Sequence, residues 1–200
     1  MKHTKLILAT ILVVILNSCK SDDSEEYQAL QTKQITNLYA PADIRDFTTG
    51  QIIEENEFVY FSFKQEGIVA QNDAWDIAFK GTTIIVNSGI HGNTQAAATV
   101  VTGTFLDITE IPDVNDLKTD TDIINAIPTG SGNGWYNYNP TTHAITPIPG
   151  RIILIRTNDG KYAKMEILSY YKDATTTPTT DDYSYYTFNY IYQDNGSTKF

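Results

Sequence analysis

Cysteine and histidine are scarce in this sequence. Cysteine forms disulfides, and both residues occur in many metal centres and nucleophilic active sites. Cys19 is the only cysteine among 200 residues, and there are three histidines. A disulfide needs two cysteines, so the folded chain has to be held together by its hydrophobic core. The sequence also contains no Gly-x-Ser-x-Gly motif, no phosphate-binding loop and no His-Glu-x-x-His motif. We therefore expect no enzymatic activity.

Basic residues are also scarce, with 14 lysines and arginines against 24 aspartates and glutamates and a formal net charge of −10. A chain with this charge repels the phosphates of nucleic acids and the headgroups of anionic lipids. We expect neither of them as a partner. The net charge does not argue against a cofactor or a peptide that is bound in a local pocket.

No apolar run in the sequence reaches the length of about 20 residues that a membrane-spanning helix needs. Residues 6–16 form an apolar run that follows Lys2 and Lys5, which is the pattern of a secretory signal. The run leads into Leu-Asn-Ser-Cys at residues 16–19, which resembles the lipobox of bacterial lipoproteins. This resemblance implies cleavage before Cys19 and attachment of acyl chains to it, which would anchor the protein in a membrane. The alternative is an ordinary secretory signal with an unrelated cysteine.

Residues 20–26, with the sequence KSDDSEE, are polar and acidic, as in a solvated tether. An acidic run after the lipidated cysteine resembles the surface-export signal of some Gram-negative lipoproteins, and a plain periplasmic spacer is the alternative. We expect a signal peptide at residues 1–18, a lipidated acidic tether at 19–40 and a single β-domain at 41–200. The expected location is the outer membrane, with a lipid anchor and exposure at the cell surface.

Three stretches near the carboxyl end of the chain have the composition of β-strands. Residues Arg151–Thr157 and Lys161–Tyr171 flank Asn-Asp-Gly at positions 158–160, and Tyr183–Gln193 follows a spacer rich in turn residues. An Asp-Gly step between such runs favours a hairpin, because tight turns need a positive φ that glycine adopts without steric cost. The three stretches therefore predict an antiparallel meander.

The second of these stretches also predicts which side of the sheet is buried. Alternation places Ala163, Met165 and Ile167 on one face, the predicted core face, and Lys164 and Glu166 on the other. The third stretch is rich in tyrosines. We expect these tyrosines to pack across strands, with stacking on a ligand as the alternative.

The middle of the chain contains further β patterns and one helical pattern. Strands are predicted at Phe58–Lys64, Thr82–Asn87 and 98–105, and Trp75–Phe79 reads as a half-buried strand that carries an acidic residue. Near-helical spacing within Asp113–Ile127 predicts one or two short helices. The fold class is thus mostly β, that is, all-β with one or two short helices, built from antiparallel sheets and hairpins.

Four aspartates in the predicted helical segment raise the question of a calcium site. They lie at positions 113, 116, 120 and 122. Their spacing lacks the glycine and the terminal glutamate of a calcium-binding loop, so we interpret them as a solvated helix face.

Several motifs together resemble the HmuY family of haem-binding lipoproteins. They are WDIAF at residues 75–79, the β-run that ends in Asn-Ser-Gly at 87–89, DGKYAKMEILSYY at 159–171 and YYTFNYIYQDNGSTKF at 185–200. The resemblance covers roughly residues 50–200 and implies an HmuY-like β-domain. It also implies that haem is clamped by two axial side chains, which are histidines or methionines. The implied role is that of a haemophore in iron acquisition, which hands haem to an outer-membrane receptor.

The candidate haem ligands are His91 and His143, which both lie in loop-like stretches between predicted strands. Of the two kinds of ligand pair that the resemblance implies, a methionine pair is excluded, because Met165 is the only methionine after processing and its position in the predicted strand is on the core face. Imidazole nitrogen is a common axial ligand of haem iron. The aromatic residues before His143 could form an apolar wall for the porphyrin; these are Trp135, Tyr136 and Tyr138. The two tyrosines could also stack on haem or supply a phenolate ligand.

Both histidines can also be interpreted as solvated loop residues without a ligand. In that case the chain would be a surface-exposed adhesin, or a glycan- or protein-binding β-domain, that has the same fold and does not bind haem. A purely structural surface lipoprotein is a third interpretation.

Overall fold

The computed structural model of the protein describes residues 30–46 and 48–200 and arranges them in antiparallel sheets. The strands are β1 (Lys33–Tyr39), β2 (Ile44–Arg45), β3 (Ile52–Glu54), β4 (Val59–Ser62), β5 (Gly67–Val69), β6 (Ile77–Lys80), β7 (Thr83–Val86), β8 (Ala97–Thr102), β9 (Tyr136–Tyr138), β10 (Ile145–Pro147), β11 (Arg151–Arg156), β12 (Tyr162–Tyr171) and β13 (Tyr183–Gln193). The helices of the described residues are three short 3-10 turns at Val114–Asp116, Lys172–Ala174 and Thr180–Asp182. The predicted fold class is confirmed.

The amino-terminal features of the sequence lie outside the described residues. These are the predicted signal peptide at residues 1–18, the predicted lipidation site Cys19 and the acidic segment at 20–26. Within the described part of the chain, no helix has the length and apolar character that crossing a bilayer would require.

The largest sheet contains five strands in the order β1-β13-β12-β11-β8. Within it, β11, β12 and β13 form the meander that the sequence predicts. Gly160 closes the β11–β12 turn with a φ of 78° and donates its N–H to the carbonyl of Thr157 at 3.1 Å. The hairpin prediction from the Asp-Gly step is thus confirmed.

The main hydrophobic core lies between this sheet and a second sheet with the strand order β5-β4-β6-β7. Phe79 of β6 stacks on Phe188 of β13, with their ring centroids 5.7 Å apart. The residues of β12 that were predicted to face the core all belong to this cluster: Ala163, Met165 and Ile167. Alternation along a single strand was therefore sufficient to identify the inner face of the large sheet.

The opposite face of the large sheet is also covered, which the sequence alternation did not predict. Lys164 is only 2% exposed, and its Nζ donates to the carbonyls of Phe105 and Ile108 at 2.6 and 2.7 Å. Its ammonium group also lies 4.6 Å from the centre of the Phe105 ring. Burial lowers the pKa of Lys164. Phe105, Ile111 and Leu117 come from the segment that crosses this face and keeps it from water.

The domain begins earlier than predicted. β1 pairs with β13 at the edge of the large sheet, with Lys33 opposite Tyr190 and Tyr39 opposite Tyr185. The predicted tether, residues 19–40, therefore extends too far into the folded domain. Residues 33–39 have few apolar side chains, so their own pattern gives only a weak strand signal. The pairing partner that makes them a strand lies at the other end of the chain.

Of the one or two short helices predicted within Asp113–Ile127, the structure forms a single 3-10 turn, Val114–Asp116, and the rest of the segment is not helical. Lys118 instead forms two backbone hydrogen bonds with Ala98 of β8, at 2.8 and 2.9 Å. This bridge holds the chain extended beside the sheet, and an extended backbone cannot close the bonds of a helix.

Asp120, predicted on a solvated helix face, is 1% exposed. Its carboxylate accepts hydrogen bonds from the backbone N–H groups of Val86 and Ala126, both at 2.7 Å. The residue is therefore an internal acceptor that joins the end of β7 to the segment before the β9–β10 hairpin.

β6 is buried on both faces, and it begins at Ile77, after the acidic residue that was predicted within it. Ile77 and Phe79 face the main core, whereas Ala78 packs with Trp75 and Ile85 in a separate cluster on the outer face of the four-stranded sheet. Trp75 and Ile85 of this outer cluster also line a cleft on that face of the sheet.

Candidate functional site

His143 lies at the tip of the hairpin that β9 and β10 form, in which Tyr138 pairs with Ile145. The loop is closed by a hydrogen bond from the N–H of Asn139 to the carbonyl of Ala144 at 2.8 Å. His143 has a φ of 57°, in the left-handed region that non-glycine residues rarely adopt. Such backbone conformations are often found where a side chain has to be aimed at a ligand.

The ring of His143 is exposed, and one of its two nitrogens has a partner. Nδ1 lies 2.7 Å from the phenol oxygen of Tyr138. Within residues 30–46 and 48–200, Nε2 forms no hydrogen bond or ion pair. The hydroxyl of Tyr183 donates to the backbone carbonyl of His143 at 3.3 Å, and this bond attaches the hairpin tip to Tyr183 at the start of β13. The arrangement leaves Nε2 free to bind an external group.

The hairpin is attached to the main core by the aromatic residues at its base. Trp135 is 1% exposed and donates its indole N–H to the carbonyl of Thr82 at 3.1 Å. The hydroxyl of Tyr136, which is also buried, lies 3.3 Å from the hydroxyl of Thr82. On the other strand, the N–H of Ile145 donates to the hydroxyl of Tyr171 at 2.6 Å.

These contacts correct the wall that the sequence predicted for a porphyrin. Trp135 and Tyr136 are packed as core residues and present no exposed face to a ligand in this conformation. Tyr138, which is 42% exposed, is the one member of the predicted trio that stands beside His143 at the surface. The sequence could not separate these roles, because all three residues are aromatic and adjacent.

His91 lies in the loop between β7 and β8, and its surroundings are different. Its Nε2 is 3.9 Å from Oδ2 of the buried Asp120, and its ring centroid is 6.3 Å from that of Phe58. The loop sits tightly on the segment around Asp120: Gly89 has a φ of 61°, and a Cβ added there would lie 1.9 Å from the carbonyl oxygen of Asp120. Only glycine can therefore occupy this position without movement of the backbone.

His91 borders a cleft of about 670 Å³ on the outer face of the four-stranded sheet. Phe58, Tyr60 and Trp75 supply aromatic surface, and the rings of Tyr60 and Trp75 are 5.0 Å apart. This volume is within the usual range for small-molecule sites. The sequence analysis missed the cleft. The alternation of Phe58 and Tyr60 along one strand was the available signal for a shared aromatic face.

The charges around this cleft are predominantly negative. Glu55, Glu57 and Asp73 lie on its lining, and the one lysine there, Lys80, is 3.1 Å from a carboxylate oxygen of Asp43. An anionic ligand would be repelled by three carboxylates and would find a cation that is already paired. The cleft is therefore better suited to a neutral polar ligand than to an anion.

The structure does not bring His91 and His143 into contact. His91 borders the cleft, whereas His143 stands on the β9–β10 hairpin beside Tyr138 and Tyr183. His143 is not among the residues that line the cleft. The action of both histidines on one iron stays a prediction.

The comparison with known protein families decides what this β-domain is related to. The family model described as HmuY protein matches residues 54–190. The chain belongs to the HmuY family. No curated protein sequence matches the chain. The HmuY match runs from the end of β3 into β13, so it contains both histidines, the cleft and the β9–β10 hairpin.

Three solved structures resemble this HmuY-family chain at low sequence identity. A Tannerella forsythia protein described as an apo HmuY analog is 16% identical, with 82% of this chain and 95% of that chain covered and a TM-score of 0.45. A Bacteroides vulgatus protein, provisionally assigned as HmuY-like and heme-binding, is 14% identical, with coverages of 75% and 96% and a TM-score of 0.45. A provisionally assigned lipoprotein of Bacteroides fragilis is 15% identical, with coverages of 67% and 83% and a TM-score of 0.41.

Proposed function

We propose that this protein binds haem through histidine and serves in haem acquisition as a lipid-anchored protein of the outer membrane. The observation that carries the proposal is the position of His143, an exposed imidazole with a free Nε2 at the tip of a hairpin in an HmuY-family domain. Family membership also favours a binding function over catalysis.

The chemistry of the available side chains fits haem. Bound haem would supply an iron whose axial positions accept imidazole nitrogen. His143 would bind the iron through Nε2, and Tyr138, the exposed aromatic residue next to it, would contact the edge of the porphyrin. The net negative charge of the cleft at His91 argues against placing the two propionates there, so the hairpin is the preferred position.

His91 is proposed as the second imidazole. Because no contact joins the two histidines in the described conformation, ligation of one iron by both requires movement of the loop or the hairpin that carries them. Ligation by His143 alone is the simpler form of the proposal. The two forms differ in the coordination state of the bound iron and can be distinguished by spectroscopy.

The test is a titration of the purified protein with haemin. We expect a shifted Soret band that is strongly weakened in His143→Ala. If both histidines bind the iron, His91→Ala weakens it as well and removes the low-spin spectrum of a bis-imidazole complex. Thr146→Ala, on the same hairpin, and Asn93→Ala, on the loop of His91, are matched controls and should bind haemin as the wild type does. A haemin spectrum that wild-type protein leaves unchanged at equimolar concentration would refute the proposal.

The proposed location has its own test. Cys19 should incorporate a radiolabelled fatty acid in a bacterial host, and Cys19→Ser should lose the label and leave the membrane fraction. Protease added to intact cells should digest the wild-type protein if it faces the outside. Protection from protease in intact cells, together with digestion after lysis, would place the protein on the periplasmic side. Transfer of haem to an outer-membrane receptor is part of the proposal and requires that receptor for its test.

A second candidate function is the binding of a neutral glycan in the cleft beside His91. The observation that favours it is the combination of an aromatic floor with a polar rim, in which Gln71, Asn72 and Glu57 form no side-chain hydrogen bond within the described chain. Such groups pair readily with sugar hydroxyls. Binding to neutral oligosaccharides on an array, lost in Glu57→Ala and retained in Glu110→Ala, would support this function. An array without signal would exclude it for the glycans tested.

A further inference from the structure

We infer that Tyr138 is a positioning residue for His143: its phenol oxygen accepts the Nδ1–H proton and so fixes Nε2 as the nitrogen that binds iron. The inference rests on the proposed haem-binding function and adds a residue with a defined role to it. It also replaces the roles that the sequence suggested for Tyr138, namely stacking on haem or direct ligation of the iron.

Tyr138 and His143 are in direct hydrogen-bonding contact. The phenol oxygen of Tyr138 and Nδ1 of His143 are 2.7 Å apart, a normal length for a strong hydrogen bond. Both residues are held by other contacts. The N–H of Tyr138 donates to the hydroxyl of Ser131 at 2.8 Å, and Tyr183 donates to the carbonyl of His143. The contact therefore joins two residues whose backbones are fixed on either side of the hairpin loop.

The tautomer of His143 decides which of its two ring nitrogens can bind iron. One ring nitrogen carries a hydrogen and the other a lone pair, and the hydrogen bond at one nitrogen selects the state of the other. If Nδ1 donates to the phenol oxygen, the lone pair is at Nε2 of this exposed side chain. If the phenol donates to Nδ1, Nε2 carries the hydrogen and cannot bind a metal. Iron binding at Nε2 therefore requires an acceptor at Nδ1, and the phenol oxygen is already at that position.

Metal-bound histidines almost always donate their second ring N–H to an acceptor. This bond orients the ring and makes the ligating nitrogen more basic. A phenol oxygen that accepts from Nδ1 is occupied by that bond, which is why Tyr138 is assigned to the histidine and not to the iron. Tyr136 provides the contrast, because its hydroxyl is 3.3 Å from that of Thr82 and does not reach His143.

The test compares Tyr138→Phe with the matched variant Tyr136→Phe, which removes a phenol from the same strand. In the haem-free protein, nitrogen-15 NMR of the histidine side chains reports the ratio of the two tautomers. We expect Tyr138→Phe to change this ratio for His143, and Tyr136→Phe to leave it unchanged. This readout does not depend on haem and would not respond to a general loss of stability.

In the haem-loaded protein we expect Tyr138→Phe to weaken haem binding by about 10- to 100-fold, the usual effect of losing such a partner. We also expect the reduction potential of the iron to rise, because a less basic imidazole stabilises the ferric state less. An unchanged tautomer ratio and an unchanged potential in Tyr138→Phe would overturn the inference while haem binding by wild-type protein stands. Two results would overturn the iron-binding role of His143 and the inference with it. One is that wild-type protein binds no haem, and the other is that His143→Ala binds haem as well as the wild type does.

Discussion

Asp76 offers the most direct test of how the two sheets are joined. Its carboxylate is fully buried and has no cationic partner within the described residues. One oxygen accepts the N–H of Phe63 at 2.7 Å, and the other accepts the backbone and side-chain N–H groups of Asn158 at 2.8 and 2.6 Å. The residue thus connects the end of β4 with the turn between β11 and β12.

The substitution Asp76→Asn keeps the shape of the side chain and replaces one acceptor oxygen by an NH₂ group. In either orientation the new NH₂ group faces at least one N–H that donated to a carboxylate oxygen in the wild type. A buried N–H without an acceptor costs about 1–3 kcal/mol, so we expect the free energy of unfolding to fall by about that amount. For a domain whose total stability is about 5–15 kcal/mol, this loss is large.

Urea denaturation at neutral pH measures this effect. Asp107→Asn is the matched control, because Asp107 is exposed and its carboxylate accepts no hydrogen bond in the described chain. The control should stay within about 0.5 kcal/mol of the wild type, as surface substitutions usually do. If Asp76→Asn were equally neutral, the hydrogen bonds of the Asp76 carboxylate to Phe63 and Asn158 would not stabilise the contact between the two sheets.

The pH dependence adds a second readout with a definite sign. Burial raises the pKa of Asp76 above its ordinary value of 3.8, so the folded state binds this proton more tightly than the unfolded state. The contribution of Asp76 to stability is then greatest below pH 3.8 and declines as the pH rises through the raised value in the folded protein. The stability difference between wild type and Asp76→Asn should therefore be larger at about pH 4.5 than at about pH 7. A difference that shrinks toward acid would contradict the effect of burial.

Three other substitutions test separate features. Gly89→Ala forces a Cβ against the carbonyl oxygen of Asp120, so urea denaturation should show a greater loss of stability than for Gly50→Ala, where a Cβ has open space; equal losses would contradict the close approach. Burial lowers the pKa of Lys164, so wild-type protein should gain stability relative to Lys164→Met as the pH rises from about 7 to about 10, and no gain would contradict this. Tyr186→Phe removes a buried hydroxyl that donates to the carbonyl of Gly81 at 2.7 Å. Thermal and urea denaturation should show that the free energy of unfolding falls by about 1–3 kcal/mol. Unchanged stability would show that the fold does not need this bond.

The parts of the fold that were predicted correctly are those whose interactions are local in sequence. The meander of β11, β12 and β13 follows from alternating side chains and an Asp-Gly turn, which act within a few residues. The core face of β12 was predicted for the same reason. The covering of its other face was not predicted, because Phe105 and Ile108 reach Lys164 from a distant part of the chain.

The segment Asp113–Ile127 shows why a periodic pattern can mislead. Its apolar residues recur at near-helical spacing, as in a helix that packs one apolar face against a core. The bridge between Lys118 and Ala98 and the buried carboxylate of Asp120 fix an extended path instead. Both contacts reach residues far from the segment in sequence, so local propensity carried no information about them.

The candidate site also combines contacts that are local in sequence with contacts between residues far apart in the chain. Tyr138 and His143 are in contact across one hairpin loop, so their contact is local in sequence, although the sequence analysis predicted neither the hairpin nor this pairing. The contacts of His91 with Phe58 and Asp120 depend on how β4, β7 and the following loop are arranged, which no local pattern contains.

The sequence by itself determined the β character of this protein, its meander and the residue types available for haem. Only the tertiary structure decided that Trp135 and Tyr136 are core residues, that β1 belongs to the domain, and that His143 and His91 have separate surroundings. The physical reason is that strand propensity and turns depend on neighbouring residues. Burial and side-chain partners depend instead on contacts between residues far apart in the chain.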